Sequence, residues 1–228
     1  MLYFLARLLI APLVRLVCRP VVRGSRNVPR CGSVILASNH LSFIDSIVIA
    51  LLSPRPVHFL AKDAYFTGTG LKGTLTRCFF AAFGCIPVER GGHRSAQASL
   101  EAAERVLASG RTFGIYPEGT RSLDGRLYRG RTGVAWLALT AGAPVVPVAL
   151  TGTDRLQPVG RRLPRYHRIT VEFGKPLHCA TLGEGTRPAL ARRAVTDEII
   201  RAIGDLSGQE RAYTYATVPQ TGDTRGHV

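Results

Sequence analysis

In "SNHLSFIDS", Ser38 to Ser46, a histidine and an aspartate, His40 and Asp45, stand five residues apart. An apolar, β-branched run, "SVILA", precedes them, and the uncharged "IVIALL" follows. On a straight helix that spacing is ~500°, which leaves the two side chains about 140° apart. They meet only if the histidine precedes the helix and the chain folds back across its first turn. A strand-to-helix junction supplies that fold-back. Asp45 can then accept from one imidazole nitrogen, fix the tautomer and leave the other nitrogen facing a substrate hydroxyl. Such a pair is a general base, and it needs no serine nucleophile when the substrate brings its own hydroxyl. A plainer reading uses the same residues. Ser42 and Asp45 have the S-x-x-[DE] spacing of a capping box, in which Asp45 serves the helix end and His40 is a turn residue. Metal binding is a weak third option, because two candidate ligands lack a nearby third.

Three further stretches carry chemistry. "GIYPEGTRS", Gly114 to Ser122, leaves a strand through Pro117, turns on Gly119 and presents Glu118, Thr120 and Arg121 together. Backbone N–H groups, a hydroxyl and a guanidinium in one turn are what a phosphate site needs. "GCIPVERGG", Gly84 to Gly92, ends another strand with Arg90 before glycines. "APVVPVAL", Ala143 to Leu150, places Pro147 inside an apolar run, which argues for an edge strand or an irregular one near a site.

The elements that must position these residues alternate. The pattern predicts strands at Val34–Ala37, Val57–Ala61, Cys85–Glu89, Thr112–Tyr116, Val145–Leu150 and Ile169–Phe173. Helical patterns lie between most of them. The clearest is Ser95 to Ala108, which Gly110 is placed to end, and a final helix spans about Pro188 to Ile203. Strand–helix alternation implies an α/β fold: a single domain with a mostly parallel central sheet covered by helices. The phosphate turn and the His40 junction then share the C-terminal edge of that sheet.

Composition narrows the partners. A chain of 228 residues with 46% hydrophobic content builds one good-sized domain. The formal net charge is +15, and only Lys62, Lys72 and Lys175 are lysines. Arginine forks suit phosphate oxygens, so nucleic acid, anionic lipid headgroups and phosphorylated substrates all fit. A nucleic-acid module would cluster its arginines with aromatics; here they are dispersed, and aromatics are 7%. Five cysteines without a CxxC suggest neither a zinc site nor a disulfide framework. The first 24 residues are apolar, but Arg7 and Arg15 interrupt them, so they predict an amphipathic helix lying in the headgroup region rather than a span. Arg7, Arg15 and Arg19 share one flank, expected to face lipid phosphates; the alternative is a helix packed on the domain's own core. The expected organisation is an interfacial helix over residues 1–24, a catalytic domain over 25–206, and a disordered tail over 207–228.

"NHLSFID", "GCIPVER", "YPEGTRS" and "APVVPVAL" resemble, in order and approximate spacing, the four motif blocks of the glycerolipid acyltransferases, the 1-acylglycerol-3-phosphate acyltransferases among them. The resemblance runs from Cys31 to about Phe173. It implies direct transfer of a fatty acyl group, from acyl-CoA or acyl-carrier protein, to the free hydroxyl of 1-acylglycerol 3-phosphate, giving phosphatidic acid. His40 resembles the family's base and Asp45 its orienting carboxylate. Glu118, Gly119, Thr120 and Arg121 match the block that binds the acceptor's phosphate. Arg90 matches a second phosphate position, and Pro147 a block linked to the acyl donor or the shape of the site. No metal or cofactor beyond the donor is implied. The expected location is the cell membrane, peripheral on its cytoplasmic face, with an anionic surface as partner and no nucleic acid. One departure bears on the acceptor: "AKDAYFTGTGLKGTLTRCFFAAFG" is longer than the usual segment before the second block and lacks its proline. Glycerol 3-phosphate, another lysophospholipid, a lipid amine or a glycolipid are the alternative acceptors, and a non-catalytic membrane-surface protein is the rival class.

Overall fold

The structure, a computed structural model, describes residues 2–88, 92–161, 163–183, 185 and 187–217. Helix α1 (Leu2–Cys18) leads into a short strand, β1 (Val21–Arg23). The expected alternation follows: β2 (Val34–Ser38), α2 (Asp45–Leu52), β3 (Val57–Lys62), α3 (Gly70–Ala82), β4 (Cys85–Val88), α4 (Gly92–Ala108) and β5 (Thr112–Ile115). Beyond lie β6 (Leu127–Tyr128), α5 (Gly133–Ala141), β7 (Val145–Thr151), α6 (Thr153–Leu156), β8 (Thr170–Phe173), α7 (Pro188–Ser207) and β9 (Arg211–Ala212).

Seven strands form one sheet in the order β1-β8-β7-β2-β5-β3-β4, parallel throughout except where β7 meets β8. Helices α1, α2 and α3 cover one face, and α4, α5 and α7 cover the other. With both faces covered, the central strands β2 and β7 are buried almost end to end. That is why they read as unbroken apolar runs rather than as alternating ones.

Pro147 corrects one expectation. Its strand is not at an edge, since β7 lies between β2 and β8. The Gly174 N–H donates to the Pro147 carbonyl at 2.8 Å, and the β7–β8 register begins only at Val148↔Phe173. In an antiparallel pair a residue's N–H and C=O face the same neighbour. The missing N–H of Pro147 therefore falls where the β8 ladder ends, and pairing with β2 is unaffected.

The N-terminal helix differs from expectation in one arginine. Ala11 and Cys18 are buried, and Tyr3, Ile10 and Val14 pack against the core. The Tyr3 hydroxyl donates to the Ala50 carbonyl at 2.8 Å. The Arg7 guanidinium donates to the Ser53 carbonyl, at the C-terminal end of α2, where a helix leaves acceptors without partners. Arg7 is thus a helix-end donor and not part of the outward flank. Arg15 and Arg19 remain exposed, beside Leu8, Leu9 and Leu16. Among the described residues no helix is long and apolar enough to cross a membrane.

The chain after Ser207, expected to be disordered, is in place as far as Thr217. β9 pairs with β6, the Leu127 N–H donates to Glu210 O, and the Arg129 N–H donates to Thr214 O. Two-residue strands carry no periodicity, so this strap left no pattern to read. Residues 218–228 lie outside the described residues.

Candidate active site

β2 ends at Ser38, and α2 begins at Asp45. Between them the chain doubles back, and the His40 Nδ1 comes within 2.9 Å of Asp45 Oδ2. The same oxygen accepts the backbone N–H groups of Leu41 at 2.7 Å and Ser42 at 2.8 Å. Asp45 is fully buried. A carboxylate only accepts, so Nδ1 carries the proton and Nε2 keeps its lone pair. Both sequence readings of Asp45 meet here: one oxygen organises the first turn and also orients the imidazole. Ser42 does not act as the cap, because its hydroxyl donates to Gln157 O at 2.7 Å.

The turn after β5 holds the other side of the ring. The Tyr116 ring stacks on the imidazole, with centroids 3.9 Å apart and planes 10° apart. Its hydroxyl shares a 2.8 Å hydrogen bond with Ser46 Oγ, and its ring lies 5.7 Å from that of Phe59. Burial, and after it the charge of Asp45, push the Tyr116 phenol well above its ordinary range. Glu118 points inward rather than to solvent. Its two oxygens accept the His40 N–H at 3.1 Å and the Tyr128 N–H at 2.9 Å. Burial pushes this carboxyl up to about 7. The Ser122 N–H donates to His40 O at 2.8 Å, so both loops are tied at two points.

Gly119 has a φ of 76°, and a Cβ there would lie 2.8 Å from the Arg131 Cδ and Nε. A side chain would be strained in that conformation and would also displace Arg131. Thr120 and Arg121 line a cleft of about 1040 Å3 together with His40, Lys62 and Gly119. Among the described residues Arg121 has no ion-pair partner, which leaves its fork available to an anion.

The cleft continues into the sheet. β3 and β5 pair only at Val57↔Thr112 and His58↔Phe113, while β5 follows β2 to Ile115 and β3 follows β4 to Lys62. The strands part, and Phe59, Leu60, Gly114 and Ile115 border the opening. A Cβ on Gly114 would lie 2.2 Å from the Phe59 ring, so only glycine lets that ring pass. Leu100, Ala103 and Leu137 line the far side, and Phe43, Phe79 and Phe80 the near one. Helix α3, built by the segment that departs from the family pattern, supplies Phe79 and Phe80. Cys85 also lines the cleft, and burial pushes its thiol up to about 11.

Of the residues singled out in the sequence, His40, Asp45, Glu118, Gly119, Thr120 and Arg121 are thus gathered at one edge of the sheet. Arg90 lies outside the described residues. Pro147 is buried inside β7 and does not line the cleft. Three residues were missed. Tyr116 stood in "GIYPEGTRS" but read as a strand end. Asn39, fully buried, bonds Leu150 through Oδ1 at 2.8 Å and Nδ2 at 2.9 Å, tying the His40 junction to β7. Gln209 accepts from the Asn39 Nδ2 at 2.7 Å and donates to Gly125 O at 2.6 Å. An amide beside the motif histidine was the available hint for Asn39; Gln209 had none.

Residues 19–151 match the family model described as Acyltransferase. The 1-acyl-sn-glycerol-3-phosphate acyltransferase of Borreliella burgdorferi is 32% identical over 59% of the chain and 52% of its own length. That of Bacillus subtilis is 27% identical over 82% of the chain and 88% of its own length. The chain spans about half the length of the first curated relatives it matches, 52% and 43% for two of them. The crystal structure of the 1-acyl-sn-glycerophosphate acyltransferase from Thermotoga maritima superposes with a TM-score of 0.64 at 24% identity, covering 88% of this chain and 81% of that one, a likeness of fold. The family model covers more than half of the chain, and it includes the His40 junction and the Glu118–Arg121 turn: this protein belongs to the Acyltransferase family.

Proposed function

We propose that this protein transfers a fatty acyl group from a thioester donor, acyl-CoA or acyl-carrier protein, to the free hydroxyl of 1-acylglycerol 3-phosphate, giving phosphatidic acid. The observation that carries the reading is the His40–Asp45 pair, 2.9 Å apart, at the mouth of an apolar cleft that Arg121 also lines. The acceptor hydroxyl donates to His40 Nε2. As its oxygen attacks the thioester carbonyl carbon, the proton passes to Nε2, and the buried Asp45 carboxylate stabilises the imidazolium. Collapse of the tetrahedral intermediate breaks the C–S bond, and the proton on Nε2 goes to the departing sulfur. No acyl-enzyme forms, in keeping with a Cys85 thiol that burial holds protonated.

Arg121 and Thr120, with the N–H groups of their turn, hold the acceptor's phosphate. Arg90 is assigned the same role from the resemblance alone. Glu118 braces both loops from beneath through two backbone N–H groups, a role different from the phosphate contact first expected of it. The opening between β3 and β5 receives acyl chain. Leu8, Leu9 and Leu16 on α1, with Leu71, Leu75 and Phe79 on α3, form an exposed apolar face that continues into the cleft through Phe79. That face supports work at an anionic membrane surface, with Arg15 and Arg19 towards headgroups; the cytoplasmic side of the membrane is part of the same reading. Purified protein offered labelled acyl-CoA and acyl-carrier protein against a panel of hydroxyl acceptors, with products resolved by mass, tests the reading. Phosphatidic acid is the expected product; transfer to none of the acceptors sinks it.

A further inference from the structure

On the α7 side of the cleft, arginines converge on two tyrosines of the C-terminal strap. The Arg129 and Arg131 guanidiniums lie 5.3 and 5.7 Å from the centroid of the Tyr215 ring. Arg193 donates to the Tyr215 hydroxyl at 3.4 Å and pairs with Asp197. Arg211 lies 5.9 Å from the Tyr213 ring. Among the described residues neither Arg129 nor Arg131 has a carboxylate partner. Like charges gathered on one ring repel, and an anion between them relieves the repulsion. The rings are not spent on packing, since Tyr213 is 80% exposed and Tyr215 48%.

Position gives the patch its meaning. The Arg131 side chain crosses Gly119, which lines the cleft, so patch and cleft share a wall. Gly130 packs on Thr196 and Ile200 of α7, in the layer opposite α1 and α3. A bilayer meeting the exposed leucines leaves this side open to water.

We propose that the patch binds the nucleotide end of coenzyme A, the 3′-phosphorylated adenosine diphosphate of an acyl-CoA donor. The inference rests on the acyl-transfer reading and selects between its two donors. An acceptor embedded in lipid arrives from the α1–α3 side. The donor is water-soluble and enters from the other, with its thioester at His40 and its polyanionic end left at the rim. Guanidiniums held on an aromatic ring suit phosphates, and Tyr213, the more exposed of the two tyrosines, leaves room for a purine beside it. The acidic surface of a carrier protein would be met by dispersed charge and would make no use of the two rings.

The test is calorimetric titration of the full chain with adenosine 3′,5′-bisphosphate, together with kinetics of an Arg129→Gln, Arg131→Gln double variant. The bisphosphate should bind wild type and compete with acyl-CoA but not with the lysophospholipid. Losing two charged hydrogen-bond donors should raise KM for acyl-CoA by roughly tenfold or more. KM for acyl-phosphopantetheine, which lacks the nucleotide, should not move, nor should affinity for anionic vesicles. Tyr213→Leu, at a ring open to solvent, repeats the test without touching the Gly119 turn. Three results would overturn the assignment: no bisphosphate binding by wild type, an equal rise in KM for both thioesters, or a rise confined to acyl-carrier protein. Binding is read without turnover, so a failure of the acyl-transfer reading itself stays distinguishable.

Discussion

Replacing Asp45 by asparagine separates its two tasks. One oxygen of the carboxylate, Oδ2, accepts the His40 Nδ1–H and the N–H groups of Leu41 and Ser42, while Oδ1 is buried without a hydrogen-bond partner. An asparagine can keep its carbonyl oxygen in the Oδ2 position and turn its NH2 towards the Oδ1 position. The tautomer of His40 and the turn are then preserved, and only the charge is lost. Opposite charges about 4 Å apart attract by about 4 kcal/mol at an effective dielectric of 20, and an amide dipole recovers part of that. A deficit near 3 kcal/mol in the transition state, where the imidazole is charged, lowers kcat by about a hundredfold or more. The stability cost is smaller. A buried NH2 without a partner costs about 1–3 kcal/mol, which is partly offset because a charge is no longer buried.

Asp45→Ala behaves differently, because two buried N–H groups then lose their acceptor along with His40. It should lose several kcal/mol of stability as well as activity, on the scale of a broken buried network. Thioester release followed in detergent, beside thermal melting of the same samples, gives both numbers. An asparagine variant that turns over at nearly the wild-type rate while melting several degrees lower would show that Asp45 serves the helix end alone.

Arg121→Lys should raise KM for the phosphorylated acceptor about tenfold while leaving KM for the thioester near its original value, because an ammonium cannot reproduce a bidentate fork; equal weakening of both would contradict the assignment. Glu118→Gln must turn an NH2 towards the N–H of either His40 or Tyr128, so it should cost about 1–3 kcal/mol and most of the activity. The carboxyl is held at about 7 when folded against 4.5 as its ordinary value, so its ionisation opposes folding: the cost is absent below pH 4.5 and complete above pH 7. In urea unfolding, wild type should therefore lose about 3 kcal/mol relative to the glutamine variant across that interval, and a constant difference would mean that the group titrates normally. Leu8→Glu with Leu16→Glu on α1, at side chains 71% and 73% exposed, should leave melting unchanged and weaken vesicle binding by tenfold or more, at roughly 1.5 kcal/mol or more for each leucine buried in lipid; unchanged vesicle affinity would remove α1 from the membrane face.

The alternation of strands and helices was legible because each central strand is buried on both faces, so that "SVILA" reads as one short, β-branched apolar run. Strand ends fell within a residue or two. What escaped was whatever depends on distant chain. β1 is three residues long, mostly exposed, and paired with a strand near residue 170. Gln209 reaches Asn39 across 170 positions, and no spacing rule connects them. Arg7 read as one of three arginines on a flank, and only the position of the α2 carboxyl end shows why it turns inward. In the site, the residues that touch substrate in the proposed reaction were named from motif chemistry. Those that hold them still, Tyr116 by stacking and Asn39 by mimicking a strand partner, became visible only when the backbone had placed them.

Glu118 takes a different place in the structure from the one its neighbours in the sequence suggest. A carboxylate beside a threonine and an arginine reads as part of a phosphate turn, yet a second negative charge facing a phosphate would weaken the site. Turned inward, the same group accepts one N–H from the histidine loop and one from β6, and β6 is held in turn by the C-terminal strap. The strap therefore reaches His40 by two routes, through Gln209 to Asn39 and through β6 to Glu118. Residues far from any motif then bear on the base, since a loosened strap would free the main chain that leads into His40, at Asn39 and at the His40 N–H, while leaving Asp45 in place.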